Sequence, residues 1–236
     1  MQEDEVPPGD TGHQMTEVDR LSTFSDAVFA IAITLLVLDL RVPDYEDGEL
    51  LSALFGEAPS YLAFIMSFVY IGVLWLNYRA LSQLIRGTTL ALNWINLAIL
   101  FGVVIIPFPT AILASALAKG DTYDLRVAVT TYALAAALMS APWLVFFGYV
   151  HRRPKLWASQ VSQDQVRAQQ ARPVTGIVLY GLAGLLGWTV SPVIGLVGII
   201  VMITYHGVTS EGLRGGPRQW VRHIGGNRRG PPSSGP

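Results

Sequence analysis

The chain of 236 residues is 51% hydrophobic and only 14% charged, against about 25% charged residues in a typical soluble domain. It has no cysteine, which excludes disulfides, thiolate catalysis and Cys-ligated metal. Its formal net charge of −1 points to no partner, nucleic acid included.

About 20 helical residues, rising about 1.5 Å each, cross a hydrocarbon core of roughly 30 Å. Residues 1–15, opening MQEDEVPPGDTGHQ, are acidic and bear Pro and Gly. They lack a basic n-region, so no cleaved leader is expected and the segment is expected to be a disordered tail. The first span covers residues 21–40 and is long enough only if Asp26 and Asp39 are included. The second covers 60–76 and can extend to 81 past Arg79, the third 89–117, and the fourth 127–150 without a charge. Residues 173–205 are again charge-free, too long for one upright span, and broken by Trp188-Thr-Val-Ser-Pro192. A proline disfavours helix at the residue before it, so two helices are expected there. Residues 212–236 are rich in Gly, Pro and Arg and are expected to be a flexible basic tail. A solvated end and a contact with anionic headgroups are both open for it. The expectation is therefore an all-α polytopic membrane protein, with a six-helix domain over residues 16–211.

Six spans place Arg41, Lys119 and Arg126 on one side and the other 13 of the 16 Lys and Arg on the opposite side. The positive-inside rule then puts both termini in the cytoplasm. Five spans would spoil this asymmetry by separating the basic tail from the basic 152–172 loop.

The first span poses the chemical question. A charged group at the bilayer centre costs at least ~2.5–3.5 kcal/mol, and less near the interface. Asp26 and Asp39 lie near the shoulders of the span, so an interfacial placement and a placement against protein or water are both open. Phe24, Ala27, Ile31, Thr34, Leu35 and Leu38 recur at spacings of 3 and 4 and share one helix face, apolar but for one hydroxyl. Asp26 and Arg20 lie off that stripe and about 120° apart, so each is expected to find its partner on a neighbouring helix. Periodicity alone says only that one face packs and the other meets something else.

Arg20-Leu-Ser-Thr-Phe24-Ser25-Asp26, followed by the apolar run from Ala27 to Leu38, resembles the RxxxFSD first-helix signature of the transmembrane-protein-175 family. Pro107-Phe-Pro-Thr110, after Asn93 and Asn96, is a weaker likeness. The family comprises potassium-permeable channels, with a lysosomal branch in animals and a prokaryotic branch. The resemblance implies a homotetramer whose first helices line a central pore. It places the constriction at Ile31, with further apolar layers at Leu35 and Leu38 and a polar neighbour at Thr34. K⁺ would pass near Ile31 and Thr34 with moderate selectivity. Arg20, Phe24, Ser25 and Asp26 would support the pore helix. Asp39, followed by Asp44, Glu46, Asp47 and Glu49, would attract cations at the outer mouth, although ordinary solvation explains the acidic loop equally well. The family commonly has histidine where Trp75-Leu-Asn-Tyr78 ends in tyrosine, which does not titrate near neutral pH. Any proton-linked role of that position is therefore in doubt here.

The expected function is thus a K⁺ channel of a bacterial plasma membrane, with lipid, K⁺ and further copies of itself as partners and no cofactor. A cation- or proton-coupled transporter is the rival. No enzyme is expected. Asp26 and Asp39 are 13 residues apart on one helix, roughly 20 Å by rise, and cannot form a dyad. His13, His151, His206 and His223 are scattered.

Overall fold

In the computed structural model, residues 17–153, 156 and 163–209 are described, with side chains given from Pro173 onward in the last stretch. Both expected tails lie outside the described residues, as do 154, 155 and 157–162 of the basic 152–172 loop. The described chain is all-α: α1 (Glu17–Leu35), a 3-10 turn (Leu36–Asp39), α2 (Leu50–Gly56), α3 (Ala58–Ser82), α4 (Leu90–Ile105), α5 (Pro107–Lys119), α6 (Thr122–His151), α7 (Gln163–Thr189) and α8 (Pro192–Val208). Four segments are long and apolar enough to cross a membrane: Glu17–Asp39, Ala58–Ser82, Leu90–Lys119 and Thr122–His151. Pro173–Thr189 and Pro192–Val208 are shorter apolar helices.

Each boundary has a local cause. Thr89 caps α4 by accepting the Leu92 N–H at 3.2 Å, and Asp121 caps α6 by accepting the Asp124 N–H at 2.9 Å. Gly120 ends α5 at φ 72°, a left-handed turn that glycine adopts without steric cost. The third expected span is interrupted between α4 and α5. Pro107 has no N–H to offer the Val103 carbonyl, which instead accepts from Ile106 at 3.2 Å. The turn between α7 and α8 falls at Val190 and Ser191, just before Pro192. Arg126 donates to the Trp188 carbonyl there at 2.8 Å, satisfying an acceptor that a helix end leaves open.

The core is built around α6, which packs on α4, α5, α7 and α8, while α3 packs on α5, α8 and α1. Tyr70, Tyr132 and Tyr180 are buried at its centre. One polar chain runs through it. Thr110 donates to its own helix at the Ile106 carbonyl (2.7 Å), which leaves its oxygen to accept from Ser67 (2.7 Å). Ser67 in turn accepts from Tyr132 (2.9 Å). Bonds of this kind join helices where lipid supplies no partner.

Between α7 and α8 the backbones approach closely. A Cβ added at Gly195 would lie 2.7 Å from the Gly187 Cα and 2.8 Å from the Ala183 carbonyl oxygen. Only glycine fits there.

Candidate functional site

The first helix packs chiefly against α3 and α4, and it does so along one face. Ser25, Phe29, Ala32 and Leu36, spaced by four, three and four, are all buried. Phe29 stacks on Tyr78 with ring centroids 5.5 Å apart. Every residue of the predicted stripe lies on the opposite, exposed face. Phe24 is 52% exposed, Ile31 57% and Leu38 70%, and Ala27, Thr34 and Leu35 are exposed as well. Within the single subunit, this apolar surface has nothing over it.

Two contacts fix the packed face, both at the motif. Ser25 Oγ donates to the Leu21 carbonyl (2.8 Å) and accepts from the Tyr78 hydroxyl of α3 (2.7 Å) and the Asn96 Nδ2 of α4 (3.0 Å). One serine oxygen therefore ties three helices together, with its hydrogen-bonding capacity used. Asp26, half-buried, accepts the indole N–H of Trp75 (2.9 Å), and the Arg79 guanidinium lies 5.5 Å from the centroid of the same indole. The carboxylate thus meets a donor on α3, with a cation beyond the ring. Arg20 is exposed. Asp39 sits half-buried in the 3-10 turn at the far end, so Asp26 and Asp39 are not brought together.

Thr34 has a particular geometry. Its hydroxyl donates to the Ile31 carbonyl at 2.8 Å. The proton is committed to the helix, and the lone pairs of the exposed oxygen remain available. An oxygen placed this way can accept a hydrogen bond or touch a cation, but it has no proton left to offer an anion.

Among the described residues, no group of three or more His, Asp or Glu is arranged to hold a metal ion. The partners Trp75, Tyr78 and Asn96 were not assigned from sequence. The available signal was their polarity inside long apolar spans, since such groups seek partners within the bundle. Helical periodicity shows which face a residue occupies, not which neighbour it meets.

The family model described as endosomal/lysosomal potassium channel TMEM175 matches residues 20–107, which include α1 from Arg20 onward, the Trp75–Tyr78 segment and Asn96. The chain is 35% identical over 179 residues to a potassium channel of Streptomyces collinus, covering 75% of this chain and 86% of the relative. It is 38% identical over 161 residues to a potassium channel of Chamaesiphon minutus, covering 67% and 73% respectively. Its fold matches the crystal structure of a lysosomal potassium-selective channel TMEM175 homolog from Chamaesiphon minutus, with a TM-score of 0.72 and 32% identity over 83% of this chain and 98% of that one. With the motif packed as described and relatives of this coverage, the chain belongs to the TMEM175 family of integral membrane channels.

Proposed function

We propose that this protein is a moderately K⁺-selective channel in which four copies surround a pore with the exposed face of α1. The observation carrying the proposal is the division of α1 into a packed face, held by Ser25 and Asp26, and an uncovered apolar face bearing Ile31, Leu35 and Leu38. The naming of its relatives as potassium channels supports the choice of ion.

In this reading each subunit spans the membrane six times, through α1, α3, α4 with α5, α6, the part of α7 from Pro173, and α8. Both termini lie in the cytoplasm of a bacterium, on the side the basic residues favour. Four Ile31 side chains form a ring that closes by dewetting. When the ring is wider it passes a partly dehydrated cation, which favours K⁺ because K⁺ holds its water less tightly than Na⁺. The Thr34 oxygens replace part of the lost hydration through their free lone pairs. Asp39 and the acidic residues after it raise the local cation concentration at the outer mouth. Arg20, Phe24, Ser25 and Asp26 belong to the support of the pore helix. No cofactor takes part.

The test is flux through the purified protein in liposomes, together with its mass in detergent. The expected results are passive K⁺ flux exceeding Na⁺ flux, persisting without a pH gradient, and a particle of four 25.7 kDa chains. Flux that vanishes with the pH gradient would make the protein a coupled transporter, and a monomer that still conducts would remove α1 from the pore.

A further inference from the structure

Between the first two spans lies a helix that the subunit does not hold. α2, Leu50–Gly56, leans on α3 but has no buried residue. A helix of seven residues is not stable alone in water, where even about 12–15 residues are marginal. At about 100° per residue, Leu50, Leu54, Leu51 and Phe55 share an arc of about 140°, and Ser52, Gly56 and Ala53 occupy the other side. The large side chains are the uncovered ones. Leu51 is 68% and Phe55 74% exposed, whereas Ala53 is the one half-buried residue of the helix.

The chain fixes the depth of α2 in the membrane. Glu57 alone separates it from α3, a segment long and apolar enough to cross. Glu57 also joins the two: its N–H donates to the Leu54 carbonyl (3.2 Å), its carbonyl accepts the Ser60 N–H (2.9 Å) and its carboxylate accepts the Ser60 hydroxyl (2.8 Å). α2 therefore begins where α3 leaves the hydrocarbon, and its rise of about 10 Å is far too short to cross. Exposed Tyr45, Tyr123 and Trp188 belong to the same end of the bundle, and such aromatic residues collect at headgroup depth.

Acyl chains and a second copy are the two surfaces that can cover the Leu and Phe face at this depth, and charge separates them. From Val42 to Glu57 the chain carries Asp44, Glu46, Asp47, Glu49 and Glu57 and no Lys or Arg. A copy seated on α2 must lie against these acids. At this end it can offer Arg41, Lys119 and Arg126, and Arg126 is committed to the Trp188 and Val190 carbonyls. The excess of like charge works against close contact between copies here. A surface of phosphatidylethanolamine instead presents an ammonium group to the acids. We propose that α2 is an interfacial anchor, lying in the plane of the membrane with Leu50, Leu51, Leu54 and Phe55 among the acyl chains and the acidic turn before it among zwitterionic headgroups. Interfacial helices are commonly basic and favour anionic lipid, and the charge on this one reverses the preference. The inference is independent of the pore reading, because it needs only that α3 crosses the membrane.

The chain has no cysteine, so the full-length protein accepts one nitroxide label at a time. Leu51→Cys, Phe55→Cys, Ser52→Cys and Asp47→Cys are each labelled and reconstituted in liposomes of phosphatidylethanolamine and phosphatidylcholine. Power saturation then compares collisions with oxygen, which concentrates among acyl chains, and with a water-soluble nickel chelate. The oxygen-to-nickel ratio at positions 51 and 55 should exceed that at 47 and 52 severalfold. Each variant is checked for an elution profile like the parent's, and 51 and 55 report independently, so the failure of one to fold leaves the other decisive. Nickel-dominated collisions at both positions would put the face in water and overturn the anchor. Labels shielded from both reagents would mean that protein covers the face, a second copy where the spectra also broaden, and would overturn it equally. Replacing the lipids with phosphatidylglycerol should lower the ratio at 55. A ratio unchanged or raised there would overturn the headgroup preference.

Discussion

α1 and α6 are both apolar helices of a membrane protein, yet they are built in opposite ways. Of the 30 residues of α6, eleven are buried, and neighbours surround it. Of the 19 residues of α1, three are buried, and one polar end carries the attachment. A helix meant only to hold the bundle together would resemble α6. The difference teaches that α1 is positioned by the fold without being absorbed into it.

The comparison can be broken by substitutions that separate the two faces of α1. On the packed face, Phe29→Ala removes a ring that is 1% exposed and stacks on Tyr78. It should cost about 3 kcal/mol in an SDS-unfolding titration, the low end for such truncations because lipid tails already solvate the unfolded side chain. Ser25→Ala strands the Tyr78 hydroxyl and the Asn96 amide without their acceptor. About 2 kcal/mol should be lost, and Ser25→Thr, which keeps the oxygen, should recover most of it. Trp75→Phe deprives Asp26 of its donor and should cost about 1 kcal/mol in the same titration. Its flux should fall more than its K⁺/Na⁺ ratio changes, whereas a pure change in that ratio would put Asp26 in the ion path.

The smallest stability effect belongs to the exposed face, and this sharpens the contrast. Ile31→Asn should change unfolding by less than about 0.5 kcal/mol, as expected of exposed positions. It should instead hydrate the ring and raise Na⁺ permeation severalfold in the liposome assay. Unchanged ion preference would remove Ile31 from the constriction, and a large loss of stability would mean that its face is packed.

Much of the helical scaffold was legible in the sequence. Charge-free runs of sufficient length marked α3, α6 and the α7–α8 pair, and Ser191-Pro192 marked the break within the last stretch. The exposed stripe of α1 was legible as a shared face, because spacings of 3 and 4 fix angular position on any helix. Two features were not read, and a third was read only coarsely. Residues 89–117 do form one apolar span, Leu90–Lys119, but the break at Pro107 that divides it into α4 and α5 was not read. α2, seven residues long, is too short to leave a periodic signal. The 3-10 turn at Leu36–Asp39 was taken as part of the first helix. The attachment of Ser25 to Tyr78 and Asn96 depends on where three helices meet. That arrangement is set by packing among residues far apart in the chain, and no local pattern encodes it.

The last two helices have a consequence outside the subunit. In the proposed six-span arrangement α8, Pro192–Val208, is the shortest crossing helix, and its 17 residues reach only about 25 Å. In that arrangement a bilayer core of roughly 30 Å must dip to meet α8, and the close Gly187–Gly195 contact leaves the α7–α8 hairpin little freedom to lengthen by sliding. The protein should therefore gather shorter-tailed lipids along one flank, and its stability should rise as the acyl chains of the surrounding membrane are shortened.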